Sequence, residues 1–140
     1  MSEKIPGLEG EALQSALSIA PFHRWLGLHV TGSSPGGLEL AMPWRDEIVS
    51  NPRIGSMHGG VLASLIDLAG MYAVLTQTTG VNATAGLHVD YHRPATAGPL
   101  RVKARVIKLG KTISVAETEV FGPDDALLAS GRGSYLMRTA

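Results

Sequence analysis

The sequence predicts an α+β chain built from one long buried helix and a set of antiparallel strands, and three observations carry that reading. A glycine-rich approach ending in Gly59 and Gly60 opens onto the longest helical pattern of the chain, within the stretch from Asn51 to Thr79. Four strand-like segments follow, joined by connections so short that only antiparallel pairing is practical. At 140 residues and 44% hydrophobic content, the chain has the size of one domain spanning 1–140 and can bury a core of its own.

Taken in order, Leu8 to Ala20 has Leu13, Ala16, Leu17 and Ile19 at helical spacing, and Pro21 is expected to stop this short amphipathic helix. Phe22 to Thr31 and Leu38 to Trp44 read as a hairpin across the turn-rich run from Gly32 to Gly37. His23 and Trp25 read as packing or surface residues rather than ligands. The stretch from Arg45 to Met57 reads as a loop without structure of its own, long enough to suggest a functional role. In the helix that follows, Val61, Leu62, Leu65, Ile66, Leu68, Ala69, Ala73, Val74 and Leu75 are too many apolar residues for one face, so burial nearly all round is expected.

After Gly80 the strands are expected at Asn82 to Tyr91, Leu100 to Leu109, Thr112 to Phe121 and Leu127 to Met137. Leu100, Val102, Ala104 and Val106 alternate with Arg101, Lys103 and Arg105, which gives one buried and one charged face. A three-residue loop, Leu109-Gly110-Lys111, would set Arg101 opposite Glu119 and Lys103 opposite Glu117, with Gly110 or Lys111 in an unusual backbone conformation. His88 and His92, four apart, fall on one face of their strand, whereas Asp90 is assigned to the other. With too few convergent ligands, no metal site is expected there.

Chemistry concentrates on the helix. At 100° per residue, Gly60, Ser64, Asp67 and Met71 fall in one narrow stripe between aliphatic neighbours. Asp67 is the sole carboxylate between Glu47 and Asp90. A carboxylate in such a setting is hydrogen-bonded into place, neutralised, or kept for chemistry. The bland alternative, a solvated or capped helix residue, is weakened because the helix offers almost no polar face. His58, Gly59 and Gly60 sit where the helix begins, and the free N–H groups and positive dipole end there suit a carbonyl oxygen or oxyanion. Equally, the two glycines could serve only to let another backbone come close.

Asn51, then His58-Gly59-Gly60, then Asp67 inside the helix resembles the hotdog-fold acyl-CoA thioesterases of the phenylacetic-acid-degradation (PaaI-like) branch, and the likeness extends over nearly the whole chain. The resemblance implies a hotdog fold, an antiparallel sheet wrapped round the central helix, with active sites between two subunits. It implies Asp67 as nucleophile or general base, Gly59 as the backbone donor polarising the thioester carbonyl, and Asn51 and His58 as residues that position thioester and water. Gly60 and Ser64 on the same stripe, and Thr84 where relatives carry Ser or Thr, are assigned to the substrate. Arg93 beside Pro94 and Lys111 after Gly110 are the better candidates for the CoA phosphates, and Arg132 a poorer one. No cofactor is implied. The expected partners are an acyl-CoA substrate and further copies of the chain, as a dimer or a tetramer made of two dimers, since the strand Asn82 to Tyr91 would otherwise leave an apolar edge unpaired. A non-catalytic acyl-CoA-binding module and a hydratase or dehydratase are the alternatives, the latter disfavoured by the absence of a helix Glu.

Composition narrows the partners. Twelve basic and twelve acidic residues balance, so no global field favours nucleic acid or an anionic membrane. Without cysteine there is no disulfide, thiolate metal site or Cys nucleophile. The opening MSEKIPGLEG lacks a signal-type apolar core, and Ser64, Asp67 and Gly70 interrupt the most hydrophobic stretch, so a cytoplasmic protein that does not enter the membrane is expected.

Overall fold

A computed structural model describes residues 6–138; residues 1–5 of the stretch read for a signal segment lie outside it. Six strands form one antiparallel sheet in the order β1-β2-β6-β7-β8-β5, and the long helix α3, Gly59–Leu75, packs across one face. The strands are β1 His29–Ser34, β2 Gly37–Met42, β5 Val81–Tyr91, β6 Leu100–Lys108, β7 Ile113–Phe121 and β8 Leu127–Met137. The alternation in β6 works as expected: Leu100, Val102 and Ala104 are buried against α3, while Arg101, Lys103 and Arg105 line the opposite face. Among the described residues, no helix is long and apolar enough to cross a membrane.

Three local readings are corrected. Helix α1 covers Gly10–Leu17, and Pro21 does not merely end it: Pro21 is the first residue of a second helix, α2, Pro21–Leu26. Proline's fixed φ and missing N–H suit that position, and Gly27 at φ 72° closes the helix, so the strand begins only at His29. Phe22 and Trp25 stack on one side of α2, with the Arg45 guanidinium 3.7 Å from the Trp25 ring centroid. The hairpin turn is tighter than expected, since the β1·β2 ladder runs on through Gly32, Ser33 and Ser34 to Gly37. Finally, the stretch 45–57 has structure of its own, a 3₁₀ turn at Asp46–Ile48 and a small hairpin of β3, Val49–Asn51, and β4, Ser56–Met57.

The β6·β7 register is shifted two residues from the expected one. Arg101 lies opposite Phe121, Lys103 opposite Glu119 and Arg105 opposite Glu117, with an irregularity between Val106 and Lys108. A shift of two preserves the side-chain face, so the charges still alternate as basic against acidic. Glu117 pairs with Arg105 and also lies 3.6 Å from Arg132, while Arg101 reaches Asp125 at 2.5 Å and Glu39 at 3.5 Å. Neither Gly110 nor Lys111 has a positive φ. What demands glycine at 110 is space, because a Cβ there would lie 2.1 Å from the Ile113 carbonyl oxygen.

Two features bear on the site. The sheet's β5 edge is solvent-facing for most of its length, with Leu87 41% and Tyr91 55% exposed. Helix α3 buries Leu62, Leu65, Ile66, Leu68, Ala69, Gly70, Ala73 and Val74, yet it is not enclosed all round: Gly60, Ser64, Asp67 and Met71 form a stripe that the chain's own sheet leaves partly open.

Candidate active site

The first turn of α3 is pinned almost atom by atom. His58 caps the helix, its Nδ1 accepting from Gly60 N–H at 3.0 Å, and its carbonyl accepts from Val61 N–H at 3.0 Å. The Gly59 carbonyl accepts from the Tyr91 hydroxyl at 2.8 Å, and the Gly60 carbonyl from the Ser64 hydroxyl at 2.8 Å. His58 N–H is itself bound to the Ile48 carbonyl at 2.7 Å. Among the described residues, Gly59 N–H is the donor of this turn left without a partner. A free N–H on a fixed peptide at the positive end of a 17-residue helix is a donor for a carbonyl oxygen or oxyanion.

Two turns further along the open stripe, Asp67 is half-buried, and its Oδ1 accepts from the Thr84 hydroxyl at 2.7 Å. Thr84 can reach it because β5 is irregular between Thr84 and Gly86, which turns Thr84 toward the helix although Leu87, Val89 and Tyr91 also face that way. Oδ2 has no partner among the described residues, so one carboxylate oxygen is held and one is available. Such a group can act as a nucleophile or accept a proton. Thr84, assigned to the substrate by resemblance, commits its hydroxyl to Asp67 instead.

The remaining candidates are dispersed. Asn51 is exposed in the small hairpin, and its Oδ1 accepts from Arg53 N–H at 3.1 Å, an internal turn contact. Arg93 and Lys111 are both exposed, but they lie at opposite ends of the sheet: Lys111 just before β7 begins, Arg93 two residues past Tyr91, level with the end of β7. The eight-residue rise of β7 alone separates those ends by about 27 Å. Arg132 is drawn toward Glu117. Asp90 is not turned away from His88, as residues two apart on a strand share a face, and its Oδ1 is 3.1 Å from His88 Nε2. His92 instead contacts the Ser130 hydroxyl at 2.8 Å, and no three potential ligands converge among the described residues.

Two tyrosines escaped the sequence reading. Tyr91 fixes the Gly59 carbonyl, and Tyr135, wholly buried, donates to the Asp67 main-chain carbonyl at 2.8 Å. A signal existed for the second, since a buried tyrosine needs a partner for its hydroxyl, and a glycine amid an otherwise apolar helix, Gly70, marks a close approach.

The profile of the thioesterase superfamily matches residues 54–129, more than half of the chain and all of α3. The chain belongs to the thioesterase superfamily. A crystal structure from the same superfamily is 44% identical, with TM-score 0.85 over 91% of this chain and 97% of the other. The Escherichia coli PaaI protein from the phenylacetic acid degradation operon aligns at TM-score 0.80 and 26% identity, over 91% of each chain. The medium/long-chain acyl-CoA thioesterase YigI of Salmonella typhimurium is 28% identical over 132 residues, 84% of this chain and 85% of its own. This thioesterase thus has the hotdog fold that its helix motif resembles, and its class of chemistry is thioester hydrolysis.

Proposed function

We propose that this thioesterase hydrolyses acyl-CoA to a free acid and CoA, at sites that two copies of the chain build together. The observation that carries the reading is the free Gly59 N–H at the helix start and the held Asp67 carboxylate on the open stripe two turns on, too far apart to serve one carbonyl. Eight residues at 1.5 Å each separate them by about 12 Å along the axis, whereas both must come within about 3 Å of the same thioester group. A second copy removes the discrepancy. If exposed β5 edges pair about a two-fold axis, they run antiparallel, and a register centred between Thr84 and Tyr91 brings Thr84 of one copy beside Tyr91 of the other. Since Thr84 is bonded to Asp67 and Tyr91 to Gly59, each carboxylate then approaches the other copy's helix start. The same pairing brings Arg93 of one copy toward the end that carries Lys111 of the other, so the two cations can flank one CoA.

In this site Gly59 N–H, with the helix dipole behind it, polarises the thioester carbonyl. The free Asp67 oxygen then either attacks the carbonyl carbon, expelling CoA thiolate and leaving an anhydride that water cleaves, or takes a proton from water as water attacks. His58 serves through its cap on Gly60, which fixes the peptide next to the donor. Acyl-CoA as substrate is supported by YigI, named for medium- and long-chain acyl-CoA, and the phenylacetic acid degradation operon of PaaI adds an aromatic acid to the acyl groups to be tested.

The test is steady-state release of CoA thiol from phenylacetyl-, medium- and long-chain acyl-CoA by the native protein and by Asp67→Asn. Asparagine keeps shape but cannot act as nucleophile or base, so turnover should fall by roughly a hundredfold or more with acyl-CoA binding retained. A folded Asp67→Asn protein with near-native turnover would remove the assignment.

A further inference from the structure

Asp67 is gripped from two sides, by Thr84 on its carboxylate and by Tyr135 on its main chain. Thr84 and Tyr135 lie directly opposite each other in the β5·β8 ladder. Thr84 holds the Asp67 side chain through Oδ1, while the Tyr135 phenol donates to the main-chain carbonyl of the same residue. In a helix that carbonyl already accepts from the N–H four residues on, so the phenol adds a second bond.

The space for that oxygen is made by two separate elements. A Cβ at Gly70, in the middle of α3, would lie 2.1 Å from the Tyr135 phenol oxygen, and one at Gly133, on β8, would lie 2.2 Å from it. Glycine weakens both a helix interior and a strand, so each of these positions carries a cost. At Gly133 the ring carbon Cζ, 2.5 Å from such a Cβ, already demands glycine, so a phenylalanine ring would need it too; at Gly70 the nearest ring carbon is 3.0 Å away and the worst collision is with the phenol oxygen. The hydroxyl therefore accounts chiefly for Gly70. Burial, with the Asp67 carboxylate adding to it, pushes the Tyr135 phenol far above its ordinary range, so it remains a protonated donor at any working pH.

We propose that Tyr135 is a positioning residue for hydrolysis: with Thr84 it fixes main chain and side chain of Asp67 together, setting the height and angle at which the carboxylate meets the thioester. The inference rests on Asp67 being the reacting carboxylate. Tyr135→Phe keeps the ring and deletes the bond, so it should lower kcat about tenfold and leave KM within about twofold, because ground-state binding does not depend on the exact aim of the carboxylate. Gly70→Ala should be more damaging in the native background than beside Tyr135→Phe, since the colliding oxygen is then gone and the nearest ring carbon lies 3.0 Å from the new Cβ; the loss in the double variant should be clearly less than additive.

Four variants measured together decide the matter: Tyr135→Phe, Gly70→Ala, the double variant and Asp67→Asn. Native kcat in Tyr135→Phe, with Asp67→Asn inactive, would reduce Tyr135 to a core residue and leave the Asp67 reading intact. A fall in kcat matched by an equal rise in KM, or a loss of fold in Tyr135→Phe, would also overturn the inference, as would additive losses in the double variant. Should Gly70→Ala alone fail to fold, a folded double variant supports the inference, and an unfolded one refutes it. Native turnover in Asp67→Asn would instead remove the Asp67 reading and this inference with it.

Discussion

Replacing Thr84 by valine isolates one contact of the site, because valine has nearly the same shape and lacks only the hydroxyl. That hydroxyl donates to Asp67 Oδ1 at 2.7 Å, a short bond to a carboxylate and hence of the stronger, charge-assisted kind. Bonds to charged groups contribute about 1.5–3 kcal/mol, and the lower end applies because both residues are only half-buried. If the bond's role is to hold one oxygen so that the other is aimed, its loss costs orientation in the transition state, and about 1.4 kcal/mol corresponds to a tenfold fall in kcat. KM should stay within about twofold, and Thr84→Ser, which keeps a hydroxyl, should recover most of the loss. The assay is thiol release from one acyl-CoA at saturating and sub-saturating concentrations. A native kcat in Thr84→Val, or a serine variant as impaired as the valine one, would refute the claim that this hydroxyl positions Asp67.

Two further outcomes follow from the tyrosines. Tyr91→Phe removes the 2.8 Å bond that fixes the Gly59 carbonyl, so kcat should fall roughly fivefold, for about 1 kcal/mol, with unfolding temperature nearly unchanged; an unaltered kcat would show that the donor turn does not need this clamp. Because the Tyr135 phenol is raised in the folded state above its ordinary value of about 10, the fold holds this proton more tightly than the unfolded chain does. Its contribution is therefore complete below pH 10 and is lost as the pH climbs further, by up to about 1.4 kcal/mol per pH unit. Chemical denaturation from pH 9 to 12 should show native stability falling more steeply than that of Tyr135→Phe, and parallel curves would contradict the phenol's burial as a neutral donor.

What the sequence made legible follows from what each signal depends on. Helix α3 was readable because nine aliphatic or small apolar residues in one run leave no other element, and β6 because Leu100, Val102 and Ala104 alternate with cations. The stripe of Gly60, Ser64, Asp67 and Met71 followed from helix geometry alone. By contrast Pro21 both ends one helix and starts the next, and local pattern could not tell the first role from the second. The β6·β7 register slipped by two because charge pairing has a period of two and is satisfied equally well by either alignment. The roles of Thr84, Tyr91 and Tyr135 were least accessible. Each depends on a hydrogen bond between residues 17 to 68 positions apart, which only the completed sheet brings together.

The shared site is tested most directly by mixing two impaired proteins, Asp67→Asn and His58→Ala, under conditions that let subunits exchange. If each site combines Asp67 of one copy with the helix start of the other, a mixed dimer holds one intact site and one doubly damaged site. Equal mixing makes half the dimers mixed, so about a quarter of native turnover should return. Recovery to that level is the predicted result. Turnover no greater than the sum of the two parents, with mixed dimers demonstrated by native mass spectrometry, would place Asp67 and His58 in the same copy's site and contradict the account.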